Sequence, residues 1–431
     1  MTRNAWLVAV LCAALGVGVG YAIAYRPVEA QPETRSRVLG RPLVRGAAPA
    51  PGEVGEAIQA ALTDPDRLAG VEALAAELRR TGPESLPDVL AAFETVFLDV
   101  AELEVVLLAD WWADFDPKGA FQWSRRSAIG RHPLVLRAVV EAWAQRDPLA
   151  ARDALANMKD PFMARACLDS LISGWDASGQ PGLIEYLRSL GASTDALMAM
   201  SPLARRRVLR DGPEGAFAWG ETIPDDPPED ALRFKLQMFR RLVSAAAPID
   251  PEKTAAFAAK YADGPNGDGL LARAGAGWAT QIGDGVPALR WLQSQPAGKQ
   301  RDDGVEETFQ AWSGSHYPEA AAWLEAEPHA AWMEPAILIH VNRLSGRDAA
   351  AALAWARRIE QPAVRESAFV AVGNMWLQND PDAARAWLDG DEVTASMREE
   401  ILKLERLRTD RVARREARKA ASAAAAADDQ P

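Results

Sequence analysis

The chain reads as an all-α solenoid of about nine helix-turn-helix repeats, and three observations carry that reading. A 12-residue template, W-x-x-x-D-P-x-x-A-x-x-W, recurs along most of the 431 residues. Its copies start at Trp112, Trp143, Trp175, Val208, Ala246, Trp278, Trp312, Leu344 and Trp376, in steps of 31 to 38 residues. Such a period marks an array in which each unit is one supersecondary element that buries its apolar face against its neighbours. Composition agrees: the chain is 48% hydrophobic, with alanine very common, which favours helix over strand.

The first element is apolar. Residues 5–25 hold 21 positions without a charge, between Arg3 and Arg26. As a helix they would span about 31 Å, close to the hydrocarbon thickness of a bilayer. Trp6 at one end and Tyr21 and Tyr25 at the other stand where interfacial aromatics are favoured. A signal peptide has a shorter apolar core, about 7–15 residues. Residues 1–26 are therefore expected to be an uncleaved transmembrane anchor, with cleavage after Ala24 or Ala30 as the alternative. Leu11 before Cys12 is too large for a lipoprotein signal. A start-proximal anchor commonly exports the domain attached to it, which places the array outside a bacterial inner membrane. Arg26, Arg35, Arg37, Arg41 and Arg45 pull toward the opposite orientation. The Gly16–Gly20 spacing offers a seam for a homodimer.

Residues 27–52, rich in Pro, Arg, Gly and Ala without apolar periodicity, read as a flexible linker. Residues 53–110 are helical but off the period and are expected to cap the array. Asp64-Pro65 starts one helix there, and residues 83–97 and 100–112 supply another pair.

Residues 111–395 form the array. In each template copy the Asp carboxylate caps the orphan amides of a helix start, and Pro fits the first helical position, where its missing N–H is not needed. The same Pro disfavours helical geometry at the Asp before it, so the upstream helix stops there. Asp-Pro is thus the elbow of a helical hairpin. Downstream, Ala and Trp lie three apart on one face, as at Ala120/Trp123, Ala216/Trp219, Ala288/Trp291, Ala352/Trp355 and Ala384/Trp387. Residues 134–143 supply the apolar stretch of a following first helix.

The run D-P-x-x-A-x-x-W on this period resembles the tetratricopeptide and Sel1-like repeats, whose second helix carries a similarly spaced Ala and aromatic. The resemblance covers residues 100–395, and the Leu-Gly pair of the tetratricopeptide first helix has no counterpart. It implies a right-handed superhelix of the tetratricopeptide type and, for function, a scaffold that binds other proteins.

Beyond the array, residues 396–431 read as a charged helix ending in a disordered alanine-rich tail. Its cations, from Arg406 to Lys419, could contact an anionic membrane surface, but the acids interleaved among them make a solvated helix end the expected reading.

The net charge of −12 is uneven: +4 over residues 1–46, +2 over 396–431 and hence −18 between them. An acidic array argues against a nucleic-acid partner, whose phosphates need Lys and Arg. Cys167 is the array's single cysteine and falls on an apolar face, so it is not expected to be a nucleophile. His132, His316, His329 and His340 lack metal-ligand spacing, and His316 occupies a turn. Residues 264–269, with three glycines, read as an inter-repeat turn. The pairs Asp225-Asp226 and Asp302-Asp303 read as loop carboxylates, although paired carboxylates also serve glycosidases. Most of the 15 tryptophans keep the period and belong to packing; Trp111 and Trp332, off the template, are the candidates for exposed contacts.

No catalytic, cofactor-binding or metal-ligating residue is assigned, and no cofactor is expected. The expected function is a non-enzymatic, membrane-anchored scaffold for a protein partner. Its rivals are an envelope enzyme acting on cell-wall glycans and an adaptor facing the cytoplasm.

Overall fold

The computed structural model describes residues 52–96, 100–126, 133–228 and 230–428. The expected anchor and the linker up to residue 51 lie outside them, as does His132. The described residues form 22 α-helices and no strand, and no helix among them is long and apolar enough to cross a membrane. The chain divides into two compact units, Met1–Asp99 and Val100–Pro431.

In the first unit, α1 (Glu53–Leu62) packs against both α2 (Arg67–Arg80) and α3 (Leu86–Thr95). Ile58, Leu74, Val89 and Phe93 are its fully buried centre. Asp64-Pro65 does not start α2 as expected. The Asp64 carboxylate accepts the Asp66 amide at 2.8 Å, and Asp66 instead caps the helix by accepting from Leu68 and Ala69.

The second unit is a succession of paired helices: α4 (Glu102–Ala113) with α5 (Pro117–Ser124), then α6 (Pro133–Arg146) with α7 (Pro148–Ala156). Next come α8 (Pro161–Ala166) and α9 (Leu168–Ser178) with α10 (Leu183–Ser189), and after them the two limbs of α11 (Thr194–Thr222). The middle pairs are α12 (Phe234–Ala246) with α13 (Pro251–Tyr261), α14 (Leu270–Ile282) with α15 (Val286–Gln293) and α16 (Lys299–Ser315) with α17 (Tyr317–Ala326). The last pairs are α18 (Glu334–Ser345) with α19 (Ala349–Ala356) and α20 (Pro362–Asn379) with α21 (Pro381–Leu388), closed by α22 (Ala395–Asp428).

One backbone conformation makes the elbows. Asp116, Asp147, Asp250, Asp348 and Asp380 share φ between −147° and −142° and ψ between 68° and 91°. Each carboxylate accepts the amide three residues ahead at 2.8–3.1 Å. Each of these residues also donates its own N–H to the carbonyl four back, at 2.8–3.0 Å. A single Asp therefore ends one helix and begins the next. Three elbows use a glycine of positive φ instead: Gly179 and Gly283, each at φ 68°, and Gly212, where the limbs of α11 meet, at φ 71° and ψ 170°. His316 takes φ −132° and ψ 54°, near the Asp geometry, with no side-chain cap.

The first helices of successive pairs lie in an unbroken row, each touching the next: α4, α6, α9, α11, α12, α14, α16, α18, α20 and α22. Small residues set how closely they approach. A Cβ on Gly174 would lie 2.2 Å from the Glu141 carbonyl oxygen and 2.7 Å from the Ala144 Cβ, so α9 meets α6 almost backbone to backbone. The template alanines Ala120, Ala216, Ala288, Ala320, Ala352 and Ala384 are fully buried. Polar contacts repeat the period: Ser173 donates to Glu141 at 2.7 Å, and Arg146 donates to Asp114 at 2.8 Å, each 32 residues apart.

Three expectations need correction. Trp111 and Trp332 are buried: Trp111 is on the first helix α4, which its neighbour in the row covers as well as its own second helix, and Trp332 is in a 3-10 turn just before α18 that packs on α16 and α18. Trp111 meets Phe115 edge-on at 5.0 Å, and Trp332 packs 6.2 Å from Trp323. Asp302 and Asp303 lie in the first turns of α16, where acids suit the helix dipole, while Asp225 and Asp226 are in a loop. Helix α22 runs to Asp428, through the tail expected to be disordered, since alanine is the strongest helix former.

Candidate partner-binding groove

The regular pairing changes at residues 157–195. Asp160-Pro161 repeats the elbow chemistry off the period, with the Asp160 carboxylate accepting from Phe162 at 3.0 Å and Met163 at 3.2 Å. It starts a short extra helix, α8, which turns into α9 at Cys167. The displaced chain leaves an open groove of about 590 Å³ whose lining comes from α7, α8, α10 and the start of α11. It thus spans three consecutive hairpins.

The lining is mixed. Leu155, Met158 and Leu190 are apolar, the Tyr186 ring forms part of the wall, and Arg152, Arg165 and Asp195 supply charge. Arg165 and Asp195 pair at 3.0 Å, and Arg152 is held by Asp153 at 2.7 Å. Tyr186 stacks on Trp175 at 5.5 Å, which fixes its plane. Burial raises the Tyr186 phenol above its usual pKa, with Arg152 opposing, so the ring stays neutral and presents a hydroxyl. Phe162, on the same α8, is 75% exposed, and Met198 is exposed on α11.

A second open cavity, about 370 Å³, lies along the first helices α12, α14 and α16 and includes Ser244, Arg273, Thr280 and Glu307. Each cavity contains one carboxylate, Asp195 or Glu307, and Asp195 is engaged by an arginine.

The residues singled out for chemistry are dispersed. Cys167 is fully buried at the α8–α9 junction, and burial pushes its thiol up to about 11 against the opposing influence of Arg137. His316 sits at an elbow, as expected of a turn residue. His329 lies 3.9 Å from Glu360. His340 is buried 4.7 Å from the Trp355 ring and bonds the Tyr317 hydroxyl at 3.3 Å. Asp226 accepts the Lys235 amide at 2.9 Å and pairs with Arg188 at 3.1 Å, while Asp225 pairs with Lys235. Residues 264–269 form the turn between α13 and α14. Among the described residues no group of three or more His, Cys, Asp or Glu is arranged to hold a metal ion.

Sequence reasoning missed the groove, although Asp160-Pro161, 13 residues after Asp147-Pro148, was its signal. Set against protein-family models, curated proteins and solved structures, the chain matches none.

Proposed function

We propose that the chain is a non-enzymatic protein-interaction scaffold: a tetratricopeptide-like, right-handed solenoid held at a bacterial inner membrane by its N-terminal segment, with the array outside. The observation that supports this most is the groove at residues 157–195. It is open, crosses three hairpins and sets an apolar floor beside a neutral tyrosine and an arginine–aspartate pair. That mixture suits an extended peptide segment, whose apolar side chains fill the floor while its backbone bonds the polar rim. The exposed Phe162 stands beside it as an aromatic anchor, the residue class that dominates binding energy at interfaces.

A photo-crosslinking residue placed at Phe162 or Ser189, in cells, tests the reading. The expected result is a discrete protein adduct from both positions, none from Ile282 on a different hairpin, and loss of the Ser189 adduct on Phe162→Asp. Equal labelling from all three positions, or none from any, would overturn it. So would turnover of a cell-wall glycan by the purified chain.

A further inference from the structure

Helix α22 carries a charge pattern that the linear sequence hides. At about 100° per residue, Lys403, Arg408, Arg411, Arg414, Arg415 and Arg418 all fall within one sector of about 140°. Glu405 and Asp410, which interrupt the cations along the chain, fall outside it. The acids are interleaved in sequence and segregated on the helix. Leu404 and Leu407 lie inside the basic sector and are 42% and 53% exposed.

The flank of α22 that borders this sector is committed to the array. Ile401 is fully buried, and a Cβ on Gly373 of α20 would meet its Cδ1 at 2.6 Å. Arg398 donates to the Leu388 carbonyl at 2.8 Å, and Glu405 pairs with Arg385 at 3.5 Å. The basic sector has no such engagement: among the described side chains none of its six cations is in an ion pair.

We propose that this face of α22 docks on an anionic lipid bilayer. Its cations form a continuous strip along about 22 Å of helix, matched to a plane of lipid phosphates rather than to one carboxylate. The two exposed leucines sit within that strip, where shallow insertion of apolar side chains beside arginines holds amphipathic helices at a membrane interface. A second copy of the same face is unsuited, since it would bring like charges together. A nucleic acid would leave both leucines in water and face the −18 charge of residues 47–395.

The test reads amide hydrogen exchange in the full chain, in vesicles of phosphatidylcholine alone or mixed equally with phosphatidylglycerol. Because only residues 403–418 are read, attachment through the N-terminal segment does not contribute. Exchange there is expected to slow about tenfold or more in the anionic vesicles alone. The effect should vanish in high salt and in the variant R411E/R414E/R418E. That variant changes exposed positions only, and an unaltered circular dichroism spectrum and melt confirm its fold; a variant that melts early is replaced by R414Q/R418Q. Equal exchange in the two vesicle types overturns the proposal. Protection by a single-stranded oligonucleotide but not by anionic vesicles also overturns it, in favour of a nucleic-acid partner.

Discussion

The indole rings of Trp376 and Trp387 stand 5.8 Å apart with their planes tilted by 32°. They join the two helices of one hairpin, and the same pairing recurs at Trp112/Trp123 (5.5 Å), Trp278/Trp291 (6.3 Å) and Trp312/Trp323 (6.0 Å). The template tryptophans at its two ends are therefore partners of each other. Trp387 is half-buried rather than buried. Trp387→Ala should thus cost about 2 kcal/mol, below the 3–5 kcal/mol of a fully enclosed aromatic. Urea unfolding measures this, and an unchanged midpoint would mean that the ring pair contributes no stability.

The elbows make opposite predictions for two substitutions toward the template. His316→Asp should stabilise by about 1 kcal/mol, because the backbone already lies near the Asp geometry and lacks only a side-chain cap. A lower melting temperature would count against that assignment.

Gly212→Asp also restores the template, yet should destabilise by about 1–3 kcal/mol. At φ 71° and ψ 170° the position suits glycine alone. A neutral result would show that the α11 elbow can relax to the Asp conformation.

Gly174→Ala should cost about 1–3 kcal/mol, since the added methyl meets α6 at the Glu141 carbonyl and Ala144. Differential scanning calorimetry of the variant reads the loss directly. Preserved stability would indicate that the two first helices can move apart freely.

His340 makes stability depend on pH. Burial first, and Arg358 second, lower its pKa from 6.5 to about 4. Between those values the unfolded chain takes up a proton that the folded chain refuses. The contribution of His340 is whole above pH 6.5 and declines as pH falls toward 4, by on the order of 3 kcal/mol in all. His340→Gln should flatten that part of the pH–stability curve; curves of equal slope for the two proteins would refute the account.

The elbows were legible because their chemistry is local. Within the template an Asp before Pro sets both helix ends, so Asp116, Asp147, Asp250 and Asp380 could be placed from four or five residues of context; outside it, Asp64-Pro65 does not. Trp111 and Trp332 were misread because their burial comes from neighbouring hairpins, which no local pattern reports. The groove was hidden for a related reason. Its walls are contributed by Arg152, Tyr186 and Asp195 from three hairpins, and the space between them exists only once α8 has displaced the chain. The basic face of α22 was written in the sequence but concealed by reading along the chain instead of around the helix.

The doubly bonded elbow governs how such a protein comes apart. Asp380 accepts from Ala383 and donates to Trp376, so neither helix can fray from the tip without releasing the other. The weak seams are then the open ends, where one hairpin hands over to the next. Under heat or mechanical tension the array should part like a stack of clips sliding from one another, each clip staying shut until its neighbour has gone.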